Sequence, residues 1–345
     1  LATGQTHMVS PEINTQSSAP VSVIVQLTDQ PAAVSLYAAK KGDQEKLEMD
    51  QSDAISDQQL VASQQNVILQ QARNQSISYK VNYRYNTVLN GMEMTLPANQ
   101  IPALAQLPGI KSIYKNKTYT IMPVQEDTAT KATYDPTPLS LIGAQNAWAK
   151  GLTGKGVKVG VVDTGIDYEH PDLIGAYKGG YDSVDHDNDP YEAPPVSVQD
   201  DVYKKGYPGS MHGTHVSGMI AGRAANKQGE VVQKGVAYES DLYVYRVMRR
   251  DPVTNSETGD SATIIDGIEH AVKDGMDVIN LSIGSDADKD VNAPDSIAVN
   301  NAVLSGVTVV IANGNAAAPG SYYYSMGEPA TSQLAIAVGA SSTPF

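Results

Sequence analysis

Four short segments carry side chains whose types suit chemistry. Asp163 directly follows the apolar run VKVGVV (Val157 to Val162), Ser282 follows DVINL (Asp277 to Leu281), and Asn313 to Asn315 follow VTVVIA (Val307 to Ala312). His212 opens HGTH (His212 to His215), at or near the start of a helix expected over His212 to Ala224. A buried carboxylate can fix the tautomer and orientation of an imidazole. The imidazole can then take a proton from a hydroxyl, and an amide N–H can stabilise the oxyanion that forms. That combination is acyl transfer with the hydroxyl still to be found. The chain has no cysteine, which removes thiol nucleophiles, disulfides and thiolate zinc sites together. Each residue alone has a plainer reading. Asp163 also suits a strand-end turn, and Asp-Thr-Gly is an aspartic-protease hint that needs a second copy. His212 and His215 are three apart but lack the HEXXH glutamate of a zinc helix, leaving His215 as a packed structural residue. Asn315 is of a type that tolerates left-handed loop positions.

These groups need a scaffold that brings distant segments to one place. The runs VKVGVV, LYVYRVM (Leu242 to Met248), DVINL and VTVVIA are apolar without alternation, as strands of a parallel sheet covered on both faces must be. Helix candidates at His212 to Ala224, Ala262 to Asp274 and Ser296 to Ser305 separate them. The expectation is a doubly wound α/β domain, in which polar groups at the carboxyl ends of strands share one rim. The first third reads differently. VSVIVQL (Val21 to Leu27) alternates, and a Gln-rich stretch from Asp43 to Arg73 places Leu47, Ile55, Leu60, Val67 and Leu69 at mostly helical spacing. Strands follow at Tyr79 to Tyr85 and Gly91 to Leu96, then a short helix opening near Pro97 and ending at Gly109, then the strand pattern KSIYKNKTY. This β, α, β, β, α, β order predicts an α+β, ferredoxin-like unit. Pro123 to Pro138 is polar and without period. The expected division is 1–20 an N-terminal extension, 21–122 the α+β unit, 123–138 a linker and 139–345 the α/β unit.

Composition excludes several partners. The 345 residues carry a formal charge of −14, with the acid excess after residue 134, so no basic stripe is offered to nucleic acid or anionic lipid. No run of roughly 18 apolar residues could span a membrane, and Leu1 begins no basic-then-apolar leader, which reads as a soluble or already processed chain. The run YDSVDHDNDP contributes Asp182, Asp185, Asp187 and Asp189, oxygen-rich enough to suit structural calcium but without EF-hand spacing. A solvated acidic turn is the better expectation, and no metal ligand or catalytic cofactor is assigned. His7, His170, His186 and His270 read as surface or packing residues. A dinucleotide-binding module fails for want of G-x-G-x-x-G opening a helix after the first strand.

VVDTGIDYEHPDL (Val161 to Leu173), HGTHVSGMIAG (His212 to Gly222), GVAYESDLYVYRVM (Gly235 to Met248), VINLSIG (Val278 to Gly284) and ANGN (Ala312 to Asn315) resemble, in order, the signatures of the subtilase family of serine proteases. The resemblance implies a subtilisin-like domain with Asp163 as triad aspartate, His212 as general base and acid, and Asn315 as oxyanion donor. It also implies one wall of a primary specificity pocket from Ser282, Ile283 and Gly284 and the other from Ala312 and Gly314. Gly259 would lie on the opposite edge of the groove. Peptide or protein substrates would add as a strand. The region Val21 to Met122, through NTVLNGMEMTLP (Asn86 to Pro97), resembles the family's inhibitor-type prosegment, a folding chaperone and temporary plug bound to the catalytic domain. Within the family the likeness is to the large secreted members of the minor extracellular protease group, whose catalytic domain is interrupted by a protease-associated domain after a strand like LAIAVGASS (Leu334 to Ser342). The family's Gly-Thr-Ser-Met-Ala nucleophile motif is absent; Ser210-Met211 and Ser325-Met326 echo it without the Gly-Thr. The expectation is a secreted zymogen needing no cofactor, processed between Thr118 and Asp135, with its serine on a remainder outside this chain and no turnover by this chain alone. The competing expectation is a pseudoprotease that binds peptides. An open pocket of Ser282, Gly284 and Gly314 would favour a large apolar or aromatic side chain.

Overall fold

The computed structural model describes residues 8–40, 46–121, 137–225, 234–285, 289–315 and 325–340. His7, most of the expected linker and processing stretch, and the end of the last expected strand lie outside the described residues.

The N-terminal unit comprises β1 (Met8–Val9), β2 (Pro20–Leu27), α1 (Ala32–Ala39), α2 (Ser52–Asn74), β3 (Lys80–Tyr85), β4 (Gly91–Pro97), α3 (Ile101–Ala105) and β5 (Ile110–Lys115). Its sheet runs β1-β5-β2-β4-β3, antiparallel except for the β1–β5 pair. The α+β order read from the pattern is therefore present, with β1 added at one edge from the stretch before residue 20. The alternating face of β2 buries Val23 and Val25 with Met92, Met94, Ile101, Leu104 and Ile113. Each such side chain stabilises by roughly 1.5–3 kcal/mol.

The long helix differs from its expected face. Ile55, Leu60 and Val67 are exposed, and the buried stripe is Ala54, Val61, Gln65, Ile68, Leu69 and Ala72. The stripe that meets the sheet mixes two alanines with Val61, Ile68 and Leu69. Gln65 is accommodated because its Nε2 donates to the carbonyls of Tyr85 (2.7 Å) and Gly91 (3.2 Å).

After β6 (Thr118–Thr120) the second unit comprises α4 (Thr137–Leu141), α5 (Ala144–Ala149), β7 (Lys158–Asp163), β8 (Tyr177–Asp182), α6 (His212–Ala221), β9 (Asp241–Arg246), β10 (Arg249–Arg250), β11 (Glu257–Asp260), α7 (Ser261–Lys273), β12 (Val278–Leu281), α8 (Pro294–Leu304), β13 (Thr308–Ala312) and β14 (Ile336–Val338). Its sheet runs β14-β13-β12-β7-β9-β8, all parallel. Val216 and Ala221 of α6 pack on one face with Val161 and Val244, while α7 and α8 cover the other through Ile264, Ile268, Ala298 and Val299. This is the doubly wound α/β fold expected. Among the described residues, no helix is long and apolar enough to cross a membrane.

The α+β unit docks on α7 and α8. Ile24, Tyr85, Val88, Leu89 and Tyr114 join the same apolar cluster as Ile264, Ile265 and Val299. Polar contacts converge there. Glu269, fully buried on α7, accepts from the backbone N–H groups of Asn86, Thr87 and Val88, each at 2.8 Å. Asn301 Nδ2 donates to the Val88 carbonyl (2.8 Å), and Lys46 reaches Asp277 (2.6 Å).

Candidate active site

Parallel register sets the site. Asp163 at the end of β7 lies opposite Arg246 of β9, and Val162 opposite Leu281 of β12, so the residues following these strands emerge at one margin. Asp163 is fully buried, and its Oδ1 lies 2.7 Å from His212 Nδ1. The same oxygen accepts from Thr164 N (2.7 Å). This contact leaves His212 Nε2 as the ring nitrogen not engaged by Asp163. Burial pushes the His212 pKa down, but the hydrogen bond that the ring donates to Asp163 and the charges of Asp163 and Glu192 outweigh it and hold the imidazole above its ordinary value.

The approach is close because glycines permit it. A Cβ on Gly213 would sit 2.1 Å from the Gly165 carbonyl and 3.2 Å from the Asp163 Cβ. Gly165 has φ +129°, in the range that favours glycine. The first turn of α6 has no side-chain cap on Met211, and its donors are met from elsewhere. Gly213 N donates to Thr164 Oγ1 (2.9 Å) and Thr214 N to Glu192 Oε1 (3.0 Å). Buried Glu192 also accepts from Thr164 Oγ1 (3.0 Å) and from Ser210 Oγ, so it ties the Asp163 loop to the His212 helix. Burial raises the Glu192 pKa against the pull of these donors. Nothing in the Tyr-Glu-Ala-Pro-Pro context marks Glu192 in the sequence.

A cavity of about 560 Å³ opens in front of His212, lined by Ser282, Ile283, Gly284, Ser285, Ala312, Gly314 and Asn315 together with Thr120 and Ile121. The structure thus brings the expected site residues to one cavity except Asp163, which is buried behind His212 and reaches it through that ring, and Gly259. Gly259 lies on β11 and pairs with Tyr119 of β6, in an antiparallel ribbon that continues Thr120↔Thr258 and Thr118↔Asp260. The segment 118–121 runs along this edge toward His212.

Other expectations are corrected. His215 is exposed rather than packed. The acidic run is not simply solvated: Asp182 and Asp185 grip Arg246 at 2.5 and 2.8 Å, and Asp182 accepts from Val184 N (2.7 Å). Two of the four carboxylates are therefore committed to a guanidinium, while Asp187 and Asp189 are exposed as a solvated acidic turn would have them. Among the described residues no group of three or more acidic, histidine or cysteine side chains could hold a metal ion. Ser210 Oγ is engaged by Glu192 and by Ala193 N (2.9 Å). The sequence reading also missed Glu269 and Asp295. Glu269 had a usable signal, since a carboxylate four residues after Ile265 falls on the apolar stripe of α7. Asp295 looks like an ordinary first-turn helix acid.

The fold and the paired carboxylate and imidazole define a class. The subtilase family profile matches residues 154–344 and the peptidase inhibitor I9 profile residues 22–122; the chain belongs to the subtilase family. It is 35% identical to the minor extracellular protease Vpr of Bacillus subtilis (strain 168), over 97% of this chain and 38% of that protein. It is 38% identical to subtilisin of Bacillus pumilus, over 59% of this chain and 64% of that protein. The chain therefore spans about two fifths of the length of the first relative and under two thirds of the second. Among solved structures, fervidolysin from Fervidobacterium pennivorans, a keratinolytic enzyme related to subtilisin, matches with a TM-score of 0.55 at 21% identity, over 94% of this chain and 43% of that chain, which supports the fold.

Proposed function

We propose that this chain is the prosegment and first catalytic part of a secreted serine endopeptidase zymogen. The observation that carries the reading is the 2.7 Å contact between buried Asp163 and His212 at the margin of a groove occupied by residues 118–121. Asp163 holds the imidazole with Nδ1 as donor and Nε2 facing the cavity as base. The serine whose proton Nε2 takes lies outside this chain. That alkoxide attacks the peptide carbonyl, and the Asn315 amide donates to the oxyanion; losing a donor of this kind costs roughly 2.7–4 kcal/mol of transition-state stabilisation. His212 then returns the proton to the leaving amine.

Substrate main chain adds as a strand between the Gly259 edge and Ser282 to Gly284, with the primary pocket walled by Ser282, Ile283, Gly284, Ala312 and Gly314. The proposed divisions remain 1–20, 21–122, 123–138 and 139–345. The prosegment inhibits by filling the groove and assists folding by covering the apolar face of α7 and α8. No cofactor takes part in these steps.

The test is His212→Ala in the full-length protein. Peptide hydrolysis and prosegment release should both be lost while the prosegment stays bound; near-normal processing would overturn the assignment. A serine-directed phosphonate should label the full-length protein at a serine absent from this chain, and labelling at Ser210 or Ser325 would show the nucleophile misplaced.

A further inference from the structure

The strand ribbon holding the prosegment is made by backbone, so any sequence could form it, and discrimination falls to what the side chains meet. Lys117 and Tyr119 are two residues apart and share one face of the extended segment. That face meets two carboxylates. Tyr119 is fully buried in the cluster with Ile264, Ile283 and Val299, and its Oη donates to Asp295 Oδ2. Asp295, at the start of α8, is itself fully buried, its other oxygen accepting from Ser296 N (2.9 Å). Lys117 Nζ lies 3.2 Å from Oε2 of Glu328, a third fully buried residue, whose Oε1 accepts from Asp290 N (2.7 Å). Ile121, two residues beyond Tyr119, lines the cavity that contains His212.

We propose that Asp295 and Glu328 form a side-chain recognition site in the substrate groove, selecting protein segments that carry a tyrosine opposite Gly259 and a basic residue two positions before it. This rests on the reading of the groove as a peptide-hydrolysing site, and it adds the chemistry of what enters. When the prosegment departs, the two carboxylates face the vacated groove. A tyrosine restores the donor to Asp295; a phenylalanine fills the same apolar walls but leaves a desolvated carboxyl unpaired. Sites built around a hydroxyl reject the analogue lacking it far more strongly than apolar pockets reject a missing methylene. Burial, then the charge of Glu328, lifts the Asp295 carboxyl to about 7, and in either protonation state it can pair with a phenol. The prosegment is thereby a copy of the preferred substrate held before the bond that is cut.

The test uses the processed full-length protein and quenched peptides that differ only at these two places. Replacing tyrosine by phenylalanine should lower kcat/KM on the order of 10- to 100-fold, and replacing the basic residue by glutamine about 10-fold, the values expected for hydrogen bonds to charged buried groups. Asp295→Leu should erase or invert the tyrosine preference. Equal hydrolysis of all peptides overturns the recognition site and leaves the hydrolase reading standing; no hydrolysis of any peptide overturns the hydrolase reading. A second measurement judges the site independently of turnover. In this chain, thermal unfolding of Tyr119→Phe, Asp295→Leu and the double variant should show that the double variant loses less than the two single losses combined. Strict additivity means the two groups do not interact and overturns the proposal.

Discussion

Glu269 offers the sharpest perturbation, because one carboxylate on α7 carries the amide ends of three consecutive prosegment residues. Replacing it by alanine leaves Asn86, Thr87 and Val88 N–H groups without their acceptor and strips Lys273 Nζ of a 2.9 Å partner. Charge-assisted hydrogen bonds contribute about 1.5–3 kcal/mol each, and their losses overlap because one residue serves all of them. The expected loss is about 3–6 kcal/mol, equivalent to holding the prosegment about 10² to 10⁴ times less tightly. Glu269→Gln keeps the shape and one carbonyl acceptor and should fall between. Two readouts apply to this chain directly: urea unfolding, and amide hydrogen exchange at Asn86, Thr87 and Val88, whose protection should collapse in the alanine variant. The pH dependence adds a check. Burial raises the Glu269 carboxyl, but Lys273 and the backbone N–H groups outweigh it and hold it below its ordinary value. Its stabilisation is therefore present above the unfolded value of about 4.3 and lost as pH falls through the lower folded value. The gap between the native chain and Glu269→Gln should narrow in that acid range. An alanine variant within about 0.5 kcal/mol of the parent, with unchanged exchange at 86–88, would refute the reasoning.

Two further outcomes are expected. Gly213→Ala should push the first turn of α6 off the Gly165 carbonyl, cost about 1–3 kcal/mol of stability, and remove the low-field N–H proton resonance of the His212 ring in this chain; persistence of that resonance would mean the contact tolerates a methyl. Glu257, Asp266 and Asp295 are each lifted to about 7, chiefly by burial, and His212 is also raised. These groups stabilise most when protonated and lose that contribution as pH rises through 7, so thermal stability should be higher near pH 5.5 than near pH 7.5, with His270, lowered by burial, opposing in part. A lower midpoint at pH 5.5 would show that the burial of these carboxylates is not what sets the trend.

Much of the α/β unit was legible because its central strands are buried on both faces. The expected Val157–Val162, Asp277–Leu281 and Val307–Ala312 became β7, β12 and β13 within a residue or so. β8 was not legible: Tyr-Lys-Gly-Gly-Tyr-Asp carries no strand pattern, and it forms because Gly180 allows close approach to Val244, where a Cβ would lie 1.8 Å from the carbonyl. α1 was also missed, and the face of α2 misassigned. α1 packs through Ala32, Ala33 and Leu36, and the buried stripe of α2 interleaves Ala54, Ala72 and a satisfied Gln65 with Val61, Ile68 and Leu69; the alanines and the glutamine do not register in a hydrophobic period.

The residue types and their order along the chain determined by themselves that a carboxylate, an imidazole and a carboxamide would stand at strand ends and helix starts, since those positions follow from local periodicity. Which charges are buried was decided only by the tertiary structure. Glu192, Asp295 and Glu328 are ordinary surface-type residues in sequence, and with Glu269 they become desolvated when loops and the prosegment close over them. A buried carboxylate owes its properties to donors brought from distant segments, and no local pattern encodes their arrival.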